Sequence, residues 1–122
     1  MGAIAVPIIP GKLEAWRAWG DGMNGPRRGE LEEFNARHGL TRHRAYLQQN
    51  PDGSHLVIAI HDGPGGDGFI AALARSDHPF DRWFTERVAE FHGISVSATP
   101  PPPPVLVLDS GAARAAGVGR SA

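Results

Sequence analysis

Six histidines, thirteen carboxylates and no cysteine bound the chemistry open to this chain. Without thiols there is no thiolate nucleophile, no cysteine-ligated metal and no disulfide. The histidine with most promise is His43, within Leu40–Asp62, LTRHRAYLQQNPDGSHLVIAIHD. That stretch reads as two strands joined by a tight turn at Asn50-Pro51-Asp52-Gly53, whose residues supply a fixed φ and a tolerated positive φ. If Gln49 faces Ser54, alternation with period two puts Arg42, Arg44, Tyr46, Gln48, His55, Val57, Ala59 and His61 on one face. His43, Ala45, Leu47, Leu56, Ile58, Ile60 and Asp62 take the other, apolar face. His43 and Asp62 then share a helix-covered surface. A carboxylate that fixes a histidine's tautomer and stabilises its imidazolium makes a general base. The competing reading is a buried histidine bonded to a backbone carbonyl, with Asp62 capping the turn at Gly63.

His78 precedes Pro79 and either projects into the same cleft or caps a helix. Asp77 and Asp81 beside it are explained by the helix dipole alone. Asn24-Gly25-Pro26-Arg27-Arg28 could offer helix-start N–H groups and two guanidinium groups to an anion, or simply be a solvated joint. Trp16, Trp19 and Trp83 suit a core between helices and sheet, and equally the wall of an apolar ligand pocket. No metal site is expected. His55 and His61 lie six residues apart on one strand, roughly 20 Å, and no H-x-H or H-x-x-x-H pair exists.

These residues need a scaffold. A chain of 122 residues makes one domain, and 41 % hydrophobic with 20 % charged residues is ordinary for a globular protein. A net charge of −1 advertises no nucleic acid. The cationic, aromatic stripe Arg42, Arg44, Tyr46 and His61 is compatible with stacking on single-stranded RNA. It lacks the glycine-aromatic motif of sheet-based RNA binders, so dimer contact is the preferred use. The opening MGAIAVPIIPGK is too short an apolar run for a signal-peptide core or a membrane span, which leaves a cytoplasmic protein as the expectation.

Ala3–Ile9 is an apolar, β-branched run and predicts a strand, ended by Pro10-Gly11. Lys12–Arg37 is helical, with an apolar stripe through Leu13, Trp16, Trp19 and Met23 and a break near Asn24–Pro26. A second helix starts at Pro26, continues the stripe through Leu31, Phe34 and His38, and stops at Gly39. After the hairpin, Asp67 is a candidate N-cap for a helix over 68–75. Ser76-Asp77-His78-Pro79 breaks that helix. Phe80, Trp83, Phe84, Val88 and Phe91 restart it as far as Gly93. Ile94–Ala98 reads as extended, Pro100–Pro104 as a stiff polyproline II spacer, and Val105–Leu108 as a final strand. Residues 1–109 then form one α+β domain, and 110–122 a loose tail. The order is strand, helix, strand, strand, helix, strand. It gives the ferredoxin-like βαββαβ fold, an antiparallel four-stranded sheet with helices on one face.

With strand 3–9, hairpin 40–62 and a second helix interrupted at Ser76-Asp77-His78-Pro79-Phe80, the chain resembles the dimeric α/β-barrel superfamily, which includes antibiotic-biosynthesis-monooxygenase-like proteins. The resemblance spans roughly 3–109. It implies a homodimer paired through the sheets, with a ligand pocket between sheet and helices. In the haem-degrading branch the positions matching Leu73 and Trp83 carry chemistry that these residues lack, so haem degradation is not implied. Cofactor-free oxygenation, cyclisation and decarboxylation stay open, because those branches share no transferable catalytic motif.

The expected function is therefore a small-molecule enzyme or binder acting on a flat apolar or aromatic acid, with no cofactor and no metal. His43 abstracts a proton, Asp62 and His78 assist, and Arg27 or Arg28 orients the anionic group against Trp16, Trp19 and Trp83. The alternative is a non-catalytic dimeric module whose cleft is filled by its own tryptophans. Both crossovers land on one side, which leaves the face of Arg42, Arg44, Tyr46 and His61 uncovered. A symmetric dimer through it buries Val57 and Ala59, and the proline spacer carries Val105–Leu108 to a sheet edge, its own or the partner's.

Overall fold

The computed structural model describes residues 1–111. Seven elements follow in order: β1 (Gly2–Pro7), α1 (Leu13–Asn24), α2 (Arg28–Arg37), β2 (Arg42–Gln49), β3 (His55–Asp62), α3 (Phe69–Arg75) and α4 (Pro79–His92). The result is an α+β domain with a three-stranded antiparallel sheet of order β1-β3-β2 and four helices. None of the helices is long and apolar enough to cross a membrane. The loose tail expected from Ser110 lies, from residue 112 on, outside the described residues.

The punctuation read from the sequence is largely where the helices stop. Gly39 (φ 67°) follows α2 and Gly93 (φ 70°) ends α4, both in the left-handed region that a glycine adopts without a Cβ clash. The long first helix breaks between Asn24 and Arg28. Pro26 lies in that joint, and α2 begins two residues later than expected. Asp67 does not cap α3: Gly68 holds that position without a side-chain bond, and Asp67 pairs with the terminal amine of Met1 at 3.2 Å. Ile94–Ala98 is not extended throughout. It closes a turn in which the Thr99 N–H donates to the Ser95 carbonyl at 2.9 Å.

The hairpin register differs from expectation by one residue, and the consequence is large. Gln49 pairs with His55 rather than Ser54, and His43 with His61. Asn50 N–H donates to Ser54 O at 2.8 Å, and Gly53 N–H to Asn50 O at 2.9 Å, with Gly53 at φ 89°. Pro51-Asp52-Gly53 is thus a three-residue loop, a turn followed by a left-handed residue that adds one position to the connection. A slip of one residue turns every side chain of β3 to the other face. Val57, Ala59 and His61 therefore join His43 and Leu47 beneath the helices. Leu56, Ile58, Ile60 and Asp62 turn outward with Arg44 and Tyr46.

A second correction concerns Val105–Leu108. These residues form no strand and are 74 to 91 % exposed. Five prolines before them donate nothing to a ladder. Four residues alone make too few ladder bonds to offset the backbone entropy lost on ordering, about 1–2 kcal/mol each. The sheet stays at three strands, with β1 and β2 as its edges.

Two apolar clusters hold the helices on the sheet. One gathers Met23, Phe34, Phe69, Leu73, Phe80 and Phe84 between the helices. The other joins Ile4, Val6, Ile8 and Val57 of the sheet side with Leu13 and Trp16. The end of α4 is tied to β1: His92 Nδ1–H donates to the Pro7 carbonyl at 2.8 Å, and Ile9 N–H donates to Phe91 O at 2.8 Å.

Candidate ligand pocket beside His43

The two clusters do not merge completely. Between them lies a void of about 70 Å³, bordered by Ile4, Val6 and Val57 from one and by Phe69, Leu73 and Phe84 from the other. His43, His61, Trp16 and Trp19 also border it. A larger cleft of about 350 Å³ reaches His43, Trp16, Trp19 and Phe84 from outside, with Arg17, Asp21 and Asn24 at its rim. Its size falls within the range of small-molecule sites, and its walls are apolar with a few polar groups, as in such sites.

One position of α1 leaves room at the cleft wall. Gly20 lines it from within the helix, and a Cβ added there would meet nothing within 4 Å. Glycine inside a helix costs about 1 kcal/mol relative to alanine. Here that cost coincides with open space at the cleft wall.

His43 and His61 are the polar centre of the site. They pair across the hairpin with ring centroids 4.7 Å apart, edge to face, and Phe69 lies 4.4 Å from the His61 ring. Burial, reinforced by the neighbouring imidazole of His61, pushes the His43 pKa down to about 3. Burial likewise lowers that of His61 to about 4, against a small upward pull from Asp62. Both rings are neutral at pH 7. The Nδ1 of His43 and the Nε1–H of Trp19 are buried without a hydrogen-bond partner. Both side chains flank Phe84, with ring centroids at 6.0 and 5.3 Å. An unmade buried hydrogen bond costs about 1–3 kcal/mol, so these two sealed atoms are a local cost to the fold behind the cleft wall.

The other residues read from the sequence are distributed as follows. Trp16 and Trp19 line the cleft as expected. Asp62 does not steer His43: it faces the opposite side of the sheet and accepts from Arg44 Nη2 at 2.8 Å. His78 caps α4, its Nδ1 accepting from the Phe80 N–H at 3.1 Å, and is absent from both the cleft and the void. Trp83 packs on Phe80 under the guanidinium of Arg27, 4.2 Å from its ring. Arg27 pairs with Glu30 at 2.9 Å and Arg28 with Glu32 at 3.2 Å, and neither lines the cleft. The cation at the rim is Arg17, which enters no salt bridge among the described residues. Also among these residues, no group of three or more His, Asp or Glu could hold a metal ion.

Sequence reasoning missed His61, Arg17 and Asp81. His61 was recoverable: Pro-Asp-Gly followed by Ser is compatible with a three-residue loop, and that register puts His61 opposite His43. Arg17 sits on the solvent side of an amphipathic helix, where nothing distinguishes it from a surface cation. Asp81 is only 1 % exposed and accepts from Ser76, His38 and Arg37. The Ser76 hydroxyl, in the break between α3 and α4, donates to Asp81 at 2.6 Å and ties the break to the start of α4.

Comparison with protein-family models, with curated proteins and with solved structures gives no match to this chain.

Proposed function

We propose that the protein takes up a flat apolar or aromatic acid in the cleft between α1 and the sheet, as a small-molecule binder or enzyme of the dimeric α/β-barrel type. The observation that carries this reading is a cleft of about 350 Å³ walled by Trp16, Trp19, His43 and Phe84, with Arg17, which enters no salt bridge among the described residues, at its rim. Arg17 takes the anion-orienting role first given to Arg27 or Arg28. A neutral imidazole held at about 3 is a weak proton acceptor at pH 7. The low basicity of this buried ring favours binding over proton abstraction by the resting site. Proton abstraction by His43 would require a ligand whose negative charge raises its pKa.

The test uses 2-naphthoate, read by quenching of Trp16 and Trp19 fluorescence. Wild-type protein should quench saturably. Gly20→Leu should weaken binding about tenfold or more while raising the melting midpoint, because leucine fills the cleft and is the better helix former. No saturable quenching, or equal affinity in the variant, rejects this site.

A specific observation favours assembly into a dimer. All helices pack on one face of the sheet, and the other presents half-buried Leu56, Ile58 and Ile60 beside Tyr46, which is 51 % exposed. A second copy on that face would bury them, in a register shifted from the one first expected. Sedimentation at micromolar concentration should give twice the chain mass. The chain mass alone rejects the dimer and leaves the cleft untouched.

A further inference from the structure

We infer that the acid taken up beside His43 is the carboxyl-terminal aromatic residue of an extended peptide, which adds as a strand to the open edge of β2. The inference rests on the cleft being an acid site and names what carries the acid. β2 is an edge strand of eight residues without a proline, and no further strand pairs with it among the described residues. At the hairpin end Asn50 N–H donates to Ser54 O, and bonded pairs alternate along an antiparallel ladder. Gln48, Tyr46, Arg44 and Arg42 therefore bond to β3, whereas Leu47, Ala45 and His43 aim their N–H and C=O groups away from the sheet. No backbone group of these three bonds outside the hairpin among the described residues. Their side chains turn to the helix face, and those of His43 and Ala45 line the cleft. Ala45 is exposed even so, which shows that the helices leave this edge of the sheet uncovered. The other edge is guarded: Pro7 of β1 has no N–H to offer, and residues 100–106 border one cavity with residues 1–4. An unpaired edge is a template for another chain, and main-chain bonds combined with a pocket for alternate side chains are a recurring mode of peptide binding. A strand on β2 would send every second side chain to the cleft face, where Trp16, Trp19 and Phe84 make an apolar seat for an aromatic ring. Arg17 at the rim supplies an unpaired cation, and Asp21 at the same rim disfavours a second carboxylate. Ring and single carboxylate come together on a peptide only where an aromatic residue is its last.

The test is calorimetry on the full chain with the peptide acetyl-Thr-Val-Thr-Val-Phe, its carboxyl end free. It should bind about tenfold or more tighter than acetylphenylalanine, because main-chain bonds to β2 add to the same ring and carboxylate. Amidating the carboxyl end should weaken it about tenfold. Methylating the peptide amides one at a time should give losses that alternate along the chain, about tenfold or more where the N–H faces β2 and about threefold or less where it faces away. Gly20→Leu should weaken the peptide as it weakens 2-naphthoate. Peptide and acetylphenylalanine binding within about threefold of each other overturn the inference. So do an amide that binds as well as the acid, methylation losses without alternation, or peptide binding that Gly20→Leu leaves intact. The peptide series decides by itself should that variant fail to fold. If 2-naphthoate binds and the peptide gains nothing from its backbone, this inference alone fails, as it would were the β2 edge taken by a second copy of the chain. If neither 2-naphthoate nor any peptide binds, the cleft reading fails with it.

Discussion

Asp81→Asn should destabilise the fold by about 3–5 kcal/mol, the cost of leaving buried partners uncompensated when one member of an ion-pair network is removed. Asp81 is 1 % exposed and lies at the start of α4. Its Oδ1 accepts from Arg37, and its Oδ2 accepts from His38 Nε2–H at 2.8 Å and Ser76 Oγ–H at 2.6 Å. Burial pushes its pKa up, but the bonds from Ser76, Arg37 and His38 outweigh that and hold the carboxyl below its ordinary value. The network joins the end of α2 to the α3–α4 break, two places where the backbone would otherwise be free to splay. The Arg37 side chain is 28 % exposed and can turn to water once its partner is neutral, so the loss belongs near the lower end of that range. Even so, the melting midpoint should fall by more than about 10 °C, given several degrees per kcal/mol for a domain of this size. Denaturant unfolding of Asp81→Asn, Arg37→Met and the double variant checks it. Additive losses would mean that no coupled network exists. Ligand binding by the folded fraction should be unaffected, because Asp81 does not line the cleft.

What could be read ahead of the structure was what local chemistry determines. Gly39 and Gly93 stop helices because only glycine takes a positive φ cheaply. Pro26 and Pro79 mark breaks because proline cannot continue a ladder of N–H bonds. Phe34, Phe80, Phe84 and Phe91 repeat at helical spacing and are buried. The errors arose where a distant partner or a single extra residue decides. Gly53 adds one position to the hairpin loop and so moves His61 beneath the helices and Asp62 away from His43. The pattern of β3, HLVIAIHD, is apolar on both sides and could not reveal the slip, since either face can be buried. Asp81 looked like a residue placed for the helix dipole, because its partners Arg37 and His38 are more than forty positions away. Val105–Leu108 has strand composition, but composition supplies no neighbour to pair with.

Acid should remove much of the stability well above the range where carboxylates titrate. His43 and His61 ionise near 6.5 in the unfolded chain and at about 3 and about 4 in the fold. Between those values the unfolded chain binds more protons. Stability therefore rises with pH through this window, is fully present above about 6.5, and is lost as pH falls towards 4. His92, lowered mainly by burial despite its bond to the Pro7 carbonyl, acts in the same direction. Asp81 does not contribute here: its depressed carboxyl stays ionised through the window, and its stabilisation is lost only as pH falls below the ordinary aspartate range. The histidine pair should together cost on the order of 5 kcal/mol by pH 4, a large part of a typical domain's stability. The decisive variant is His43→Phe. It removes one proton-binding group and one unpartnered buried nitrogen, so the midpoint at pH 7 should be unchanged or raised. The loss between pH 7 and pH 5 should shrink by about 2 kcal/mol, one histidine's share of the linkage. Thermal or urea unfolding at the two pH values measures both. A clear fall at pH 7 with the full acid loss retained would make His43 an ordinary core residue and remove it from the site. A flatter profile with an intact midpoint identifies a ring kept neutral and unpaired at a cost to the fold, which is the condition of a group held ready for a ligand.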